Sequence, residues 1–498
     1  MNKKLVFSIV SVAIALSAVI VLGLHYSQSD IAKPSSSSEI IPPSSINTIE
    51  KPSSIVSDKS VKSQINSMNL HQIINASNPS ISVNQKTGII YTSYIKTESE
   101  LTNVYLVISD DNGKTFSDPV RVNNIVGSAA EMYNLIPIRF GPNNEVYVAW
   151  MTLRDDPDFP WGVTEIRVSK SVDGGKTFGS AVNPVMGDDS EKAFFDLAIS
   201  DDGTLFVSYL DSMTNQYGKG DLGKIIEYPS SYRLVKSLDG GNTFDSPITL
   251  DNQNCVCCQT ASITGPNNEV YFTWRDLQYE QDVIQASNDN KYNYGYSNGT
   301  VFDDSNYSTG GYFETIRDIV IMHTDDNSNG EKFSLPVKVS QDNWYTASCP
   351  DAGPGMAFDS KGRLHVTWFT GSGTAQDGLG YYYAYSDNMG QTFSDSIPLL
   401  TDKEFIPPTM VSISVDSTDN VWIAFADQRN PEIIRYSGMN DDNPGKIHLS
   451  IIDKNQNQIY NDSIISGAIH EFVDMSAYGD VSFISWKDGH DAKLAHLS

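Results

Sequence analysis

Three arginines stand where they could do chemistry together: Arg154, Arg275 and Arg429. Each follows a short apolar segment that ends in an aromatic residue. A ring of guanidinium groups can hold a carboxylate through paired N–H donors. Asp276, beside Arg275, joins them as a candidate catalytic residue. The alternative is structural, with Arg275–Asp276 and Arg317–Asp318 acting as ion pairs that brace loops. The four cysteines form a second candidate, Cys255, Cys257 and Cys258 in CVCC and Cys349 in SCPD. Outside a cell an even count argues for disulfides, and four cysteines permit three pairings. CxCC is crowded for simple bridging, and a strained, near-vicinal bridge is redox-labile. A soft metal, copper(I) or zinc, is the other option for these thiols, although no cofactor is required. Strand alternation would put Cys255 and Cys257 on one side and Cys258 on the other, against a single four-thiol ion site. His365 lies inside a strand-like segment and reads as a packing or surface residue.

The elements that must position these residues recur along the chain. TGIIYTSY, NNEVYVAW, DGTLFVSY, NNEVYFTW, KGRLHVTW, TDNVWIAF and YGDVSFISW end at Tyr94, Trp150, Tyr209, Trp274, Trp368, Phe425 and Trp486. Successive ends are 56, 59, 65, 94, 57 and 61 residues apart, the long interval holding a Tyr/Asn/Gly-rich insertion over about 279–311. Each unit adds a short apolar strand before this one and two strands after it. Period-2 alternation with frequent turn signals predicts an all-β fold, and about sixty residues per four-strand unit predicts a seven-bladed β-propeller. Six blades and an irregular cap is the alternative. The seventh unit stops after its third strand, AKLAHLS. An unpaired edge there needs cover, so INSMNLHQI, residues 65–73, is expected to supply the missing outer strand.

A second motif closes these units: Ser109–Phe116, Ser171–Phe178 and Ser237–Phe244, with degenerate relatives such as SDNMGQTF from Ser386. Its carboxylate (Asp111, Asp173, Asp239) can accept N–H bonds from its own turn, and its glycine (Gly113, Gly175, Gly241) can supply a positive φ. With Ser109, Ser171 and Ser237 these are the residues of a folded turn. Decay of the copies, including Asn388 in place of Asp, fits structure better than catalysis. Turns between first and second strands are all short. Length varies after the aromatic-ended strand, as in RDDPDFPWG and TGSGTAQDGLG, so the opposite, loop-bearing face is where binding should sit.

The motif Ser-x-Asp-x-Gly-x-Thr-Phe resembles the Asp box, or BNR repeat, of the sialidase superfamily. CVCCQTASITGPNNEVYFTWRD and WYTASCPDAGPGMAFDSKGRLHVTWFTG further resemble an exported subgroup that pairs Cys-x-Cys-Cys with a later Cys-Pro. The resemblance implies a propeller over 63–498. For an enzyme it would imply an exo-acting, sialidase-type glycoside hydrolase, with arginines on the substrate carboxylate, a Tyr nucleophile and an Asp acid/base. No Phe/Tyr-Arg-Ile-Pro motif precedes the first Asp box, IPIRFGP being a loose echo, and no Tyr–Glu pair is assigned.

The remaining features place the domain. Lys3 and Lys4 precede an uncharged apolar run, Leu5 to Leu24, long enough to cross a bilayer core. Residues 1–26 are therefore expected to be a signal anchor with the lysines inside, or else a signal peptide cleaved near Ala18 or Ser27. The Ser/Pro-rich stretch 27–62 reads as a tether. Sequons at Asn75, Asn298, Asn306 and Asn461 fit an exported chain. Across the 498 residues, 34 Lys+Arg against 61 Asp+Glu leave a formal charge of −27, which excludes nucleic acid as a favoured partner. The expectation is a membrane-tethered, extracytoplasmic propeller binding a cell-surface glycan or protein around blades four and five. A glycoside hydrolase using the arginines, or a thiol-redox or soft-metal site, are the alternatives.

Overall fold

The aromatic that ends each repeat is the residue around which a blade packs. Tyr94, Trp150, Tyr209, Trp274, Trp368, Phe425 and Trp486 are all buried at 1 % exposure or less. Each sits on the second strand of an antiparallel sheet, where alternation sends successive side chains to opposite faces and both faces meet a neighbouring blade. The computed structural model describes residues 70–497 except 157–158, 187–189, 213–229, 256–257, 279–314, 326–329, 347–349, 373–377, 403–405, 430–444 and 468–471. The apolar run, the tether, the insertion, Cys257 and Cys349 lie outside the described residues.

Seven innermost strands form a closed ring: Ala76–Val83, Ile138–Phe140, Glu191–Ile199, Ala261–Thr264, Gly355–Phe358, Val411–Val415 and Asp474–Tyr478. Each touches the next, and the last touches the first. The fold is an all-β, seven-bladed propeller, not six blades with a cap. Blade seven is completed from the other end of the chain, by Leu70–Ile73 pairing antiparallel with Asp491–Leu497, His71 opposite Leu494. This is the latch that the truncated last repeat demands. In blade two the outermost place is held by a single bridge, Val168 to Val182. Blades three and four are stitched together where Asn254, ending the strand Ile248–Asn254, pairs with Asp276 of Val270–Gln278.

The Asp boxes are turns closed by their own side chains. Ser171 Oγ donates to Asp173 at 2.7 Å and accepts from the Gly175 N–H at 2.8 Å. The other carboxylate contacts come from the Thr177 N–H and hydroxyl at 2.9 and 2.6 Å. Gly175 adopts φ +86°, and a Cβ there would sit 3.0 Å from Ile108 and Leu106 of blade one. The boxes at Ser109 and Ser237 repeat this pattern. In the degenerate copy Asn388 keeps its carbonyl on Ser386 and the Thr392 N–H, and its amide donates to the Thr392 hydroxyl. One oxygen therefore suffices for the fold. The bonds from Thr115, Thr177 and Thr243 hold Asp111, Asp173 and Asp239 down to about 2.

The central channel is clasped by two aspartates. Asp474 of blade seven accepts from Ser80 Oγ (2.6 Å) and the Ile81 N–H (3.0 Å) of blade one, and from Ser412 Oγ (3.0 Å) of blade six. Asp196 of blade three accepts from Arg139 of blade two (2.7 Å) and the Ser262 N–H of blade four (2.8 Å). Each carboxylate thus ties three consecutive blades.

His365 is fully buried in blade five, its Nδ1 2.6 Å from the Tyr383 hydroxyl and its ring stacked on Tyr383. Burial holds its pKa down to about 4, against the pull of Asp359. The unfolded imidazole takes a proton near pH 6.5 and the folded one does not. Stability present above pH 6.5 is therefore lost as pH falls towards 4, by about 3 kcal/mol for a shift of this size. Urea midpoints of wild type and His365→Phe between pH 7 and 4 check this. The variant should show the shallower decline, and parallel curves would contradict it.

Candidate functional site

The loop-face end of blade four brings together four of the residues singled out by type and spacing, Arg275, Asp276, Cys255 and Cys258. Arg275 and Asp276 are consecutive on the strand Val270–Gln278, so they point to opposite faces of the sheet and do not pair. Asp276 stands in register with Asp318, and Leu277 with Arg317. Asp318 accepts from Lys338 at 3.1 Å and from the Trp344 N–H at 3.4 Å, so the expected Arg275–Asp276 and Arg317–Asp318 pairs are replaced by other partners.

Arg275, 2 % exposed, reaches across to blade five. Its Nη1 donates to the Arg317 carbonyl (3.0 Å), and its Nη2 to the carbonyls of Ala352 (3.1 Å) and Phe369 (2.7 Å). The guanidinium lies 5.0 Å from the Trp344 ring, a cation–π contact in a desolvated place. Close packing here needs Gly353, where a Cβ would stand 2.0 Å from the Gln259 carbonyl oxygen. Arg275 thus joins two blades through carbonyls. Its Nε has no partner, and neither amide atom of the fully buried Asn254 has one.

Two of the four cysteines meet at this point. Cys255 and Cys258 are each 1 % exposed and pack with Leu277, their sulfurs 2.8 Å apart. Alternation had separated them. The strand Ile248–Asn254 ends one residue before Cys255 and the next begins at Ala261, so the rule for strands does not govern the residues between. Arg317 Nη1 donates to Cys255 Sγ at 3.4 Å. Burial, with Cys255 alongside, pushes the Cys258 thiol well up, and the charges of Arg275 and Arg317 offset only part of that. Among the described residues no group of three or more His, Cys, Asp and Glu stands close enough to hold a metal ion.

The other two arginines are held within their own surroundings. Arg154 pairs with Asp156 and Glu165, both at 3.0 Å. Arg429 grips Asp427 with two nitrogens, at 2.9 and 2.8 Å, and lies 3.8 Å from Asp402.

The sequence matches no protein-family model and no curated protein. Solved structures do resemble the fold. An ulvan lyase of polysaccharide lyase family PL25 superposes with a TM-score of 0.51 at 13% identity, over 85% of this chain and 95% of that one. The chain has an all-β, seven-bladed propeller fold. A Hadza microbial sialidase gives 0.45 at 12% identity, over 80% of this chain and 74% of that one. A GH93 α-L-arabinofuranosidase of Fusarium graminearum gives 0.42 at 12%, over 76% and 93%. At these identities the likeness concerns architecture alone.

On this propeller several buried polar groups carry no motif. Asn254 has no side-chain partner, and Asp196 and Asp474 are single residues whose partners come from other blades. A recurring polar residue in an inner strand was the only signal for the last two. Arg139, in the IPIRFGP echo, turns its guanidinium to Asp196, and it borders a cavity of 230 Å³ with Phe140, Ile199 and Ile263. That cavity opens beside the first-to-second-strand turns, not on the loop face.

Proposed function

We propose that the protein is a glycan-binding propeller, tethered outside the cytoplasmic membrane by Leu5–Leu24 and carrying its ligand on the loop face without cleaving it. The observation that carries this reading is how the three arginines are engaged. Arg154 and Arg429 are matched by carboxylates, and Arg275 is sunk among carbonyls beneath Trp344. A carboxylate-bearing sugar would have to displace those partners within a chain of charge −27. A neutral glycan meets no such barrier. Tyr133, 36 % exposed in the loop-face connection from blade one to blade two, offers an aromatic surface for a sugar ring. The name of the ulvan lyase of like fold, a polysaccharide lyase, agrees with a carbohydrate ligand.

The test is binding of the full-length protein, in detergent, to immobilised neutral and sialylated glycans at two salt concentrations, with turnover of matching fluorogenic glycosides measured in parallel. The expected result is salt-insensitive retention on a neutral glycan, weakened at least about ten-fold by Tyr133→Ala, with no turnover. Retention confined to anionic glycans, or hydrolysis of a sialoside, would replace this reading with the hydrolase.

A further inference from the structure

We propose that Cys255 and Cys258 are a thiol–disulfide couple, making this pair, placed between blades three and four, a site of exchange with an external disulfide. The inference is independent of glycan binding. Two thiolates on one tetrahedral zinc, each at about 2.3 Å, stand about 3.8 Å apart. The sulfurs of Cys255 and Cys258 are 2.8 Å apart, too close to share such an ion and placed to bond to each other.

The pair is not a staple. A bridge from Cys255 to Cys258 closes a loop of only four residues, so it restrains the unfolded chain far less than a bridge from either residue to Cys349 would. What surrounds it is suited to reactivity. Arg317 donates to Cys255 Sγ at 3.4 Å, and Arg275 lies close by with its own bonds going only to carbonyls. Guanidinium charge beside a thiol favours the thiolate, the form that attacks and leaves in exchange. Cys255 is the thiolate partner. It attacks one sulfur of an external disulfide RS–SR, forming a Cys255–SR bond and releasing RS⁻, which takes up the proton Cys255 has lost. Cys258, deprotonated in turn, attacks the Cys255 sulfur and expels the second RS⁻, which leaves as RSH. Two protein thiols are oxidised and one disulfide is reduced to two thiols. Both sulfurs are buried, so exchange requires local opening and is slow.

The experiment exposes the full-length protein to glutathione disulfide and then to reduced glutathione. Samples are quenched in acid, alkylated in denaturant and mapped by peptide mass spectrometry. The expected product is a Cys255–Cys258 link, lighter by two hydrogens, that returns to two alkylated thiols on reduction. The same link should form in Cys257→Ser. Arg317→Gln should slow its formation about ten-fold while leaving the pairing intact. A link from Cys255 or Cys258 to Cys257 or Cys349 would overturn the assignment, as would two thiols that stay alkylatable throughout. An unchanged rate in Arg317→Gln would overturn the role given to that guanidinium.

Discussion

Arg275→Met should destabilise the propeller by about 4 kcal/mol and lower its thermal midpoint by about 4–5 °C. The guanidinium is the sole side-chain bridge seen between the carbonyls of Arg317, Ala352 and Phe369 among the described residues. Methionine fills much of the same volume but donates nothing. Three carbonyls in a desolvated seam would lose charge-assisted bonds, each with a penalty of about 1–3 kcal/mol when no water can replace the donor. Partial access of water to the rearranged seam brings the sum to the lower figure. The temperature shift follows from an unfolding entropy of about 0.9 kcal/mol/K for a domain of this size. Arg275→Lys keeps the charge but not the planar fork, and should recover only part of the loss. Urea and thermal unfolding of the three proteins decide the matter. A variant as stable as wild type would return Arg275 to the pool of ligand-binding residues, because a residue reserved for substrate carries little of the fold.

The second large effect is expected at the channel. Asp474→Ala should cost about 3 kcal/mol, more than Asp474→Asn. The carboxylate joins blade seven to blade one through Ser80 and Ile81, and to blade six through Ser412. It therefore sits where the ring is closed, beside the blade completed by Leu70–Ile73. Alanine leaves these donors without an acceptor in a part-buried place, where water meets some of the need and keeps the loss below that of a dry site. Asparagine retains one oxygen for Ser412 and the Met475 N–H, but turns an amide donor towards Ser80 and Ile81. Limited proteolysis near the chain ends, with urea midpoints, would report the loosened closure. Equal stability of Ala and Asn variants would show that the carboxylate does not clasp the ring.

The architecture was legible because it repeats. A buried aromatic every sixty residues, a turn of fixed chemistry, and a last unit lacking a strand are local facts. The same local rule applied seven times leaves one closed arrangement, with residues near 70 as its latch. The Asp boxes were legible for the same reason, since their bonds run within eight residues. The candidate site was not. Whether Arg275 faces Asp276 depends on strand geometry, and whether it presents its charge to a ligand depends on blade five, about eighty residues later in the chain. The meeting of Cys255 with Cys258 arose because the strand Ile248–Asn254 ends before Cys255, which alternation cannot foresee. Sequence by itself determined the blade and its repetition, because those rest on contacts between near neighbours in the chain. Tertiary structure alone decided which charges are spent on bracing and which sulfurs touch, because those contacts follow no period and depend on where strands end and where neighbouring blades lie.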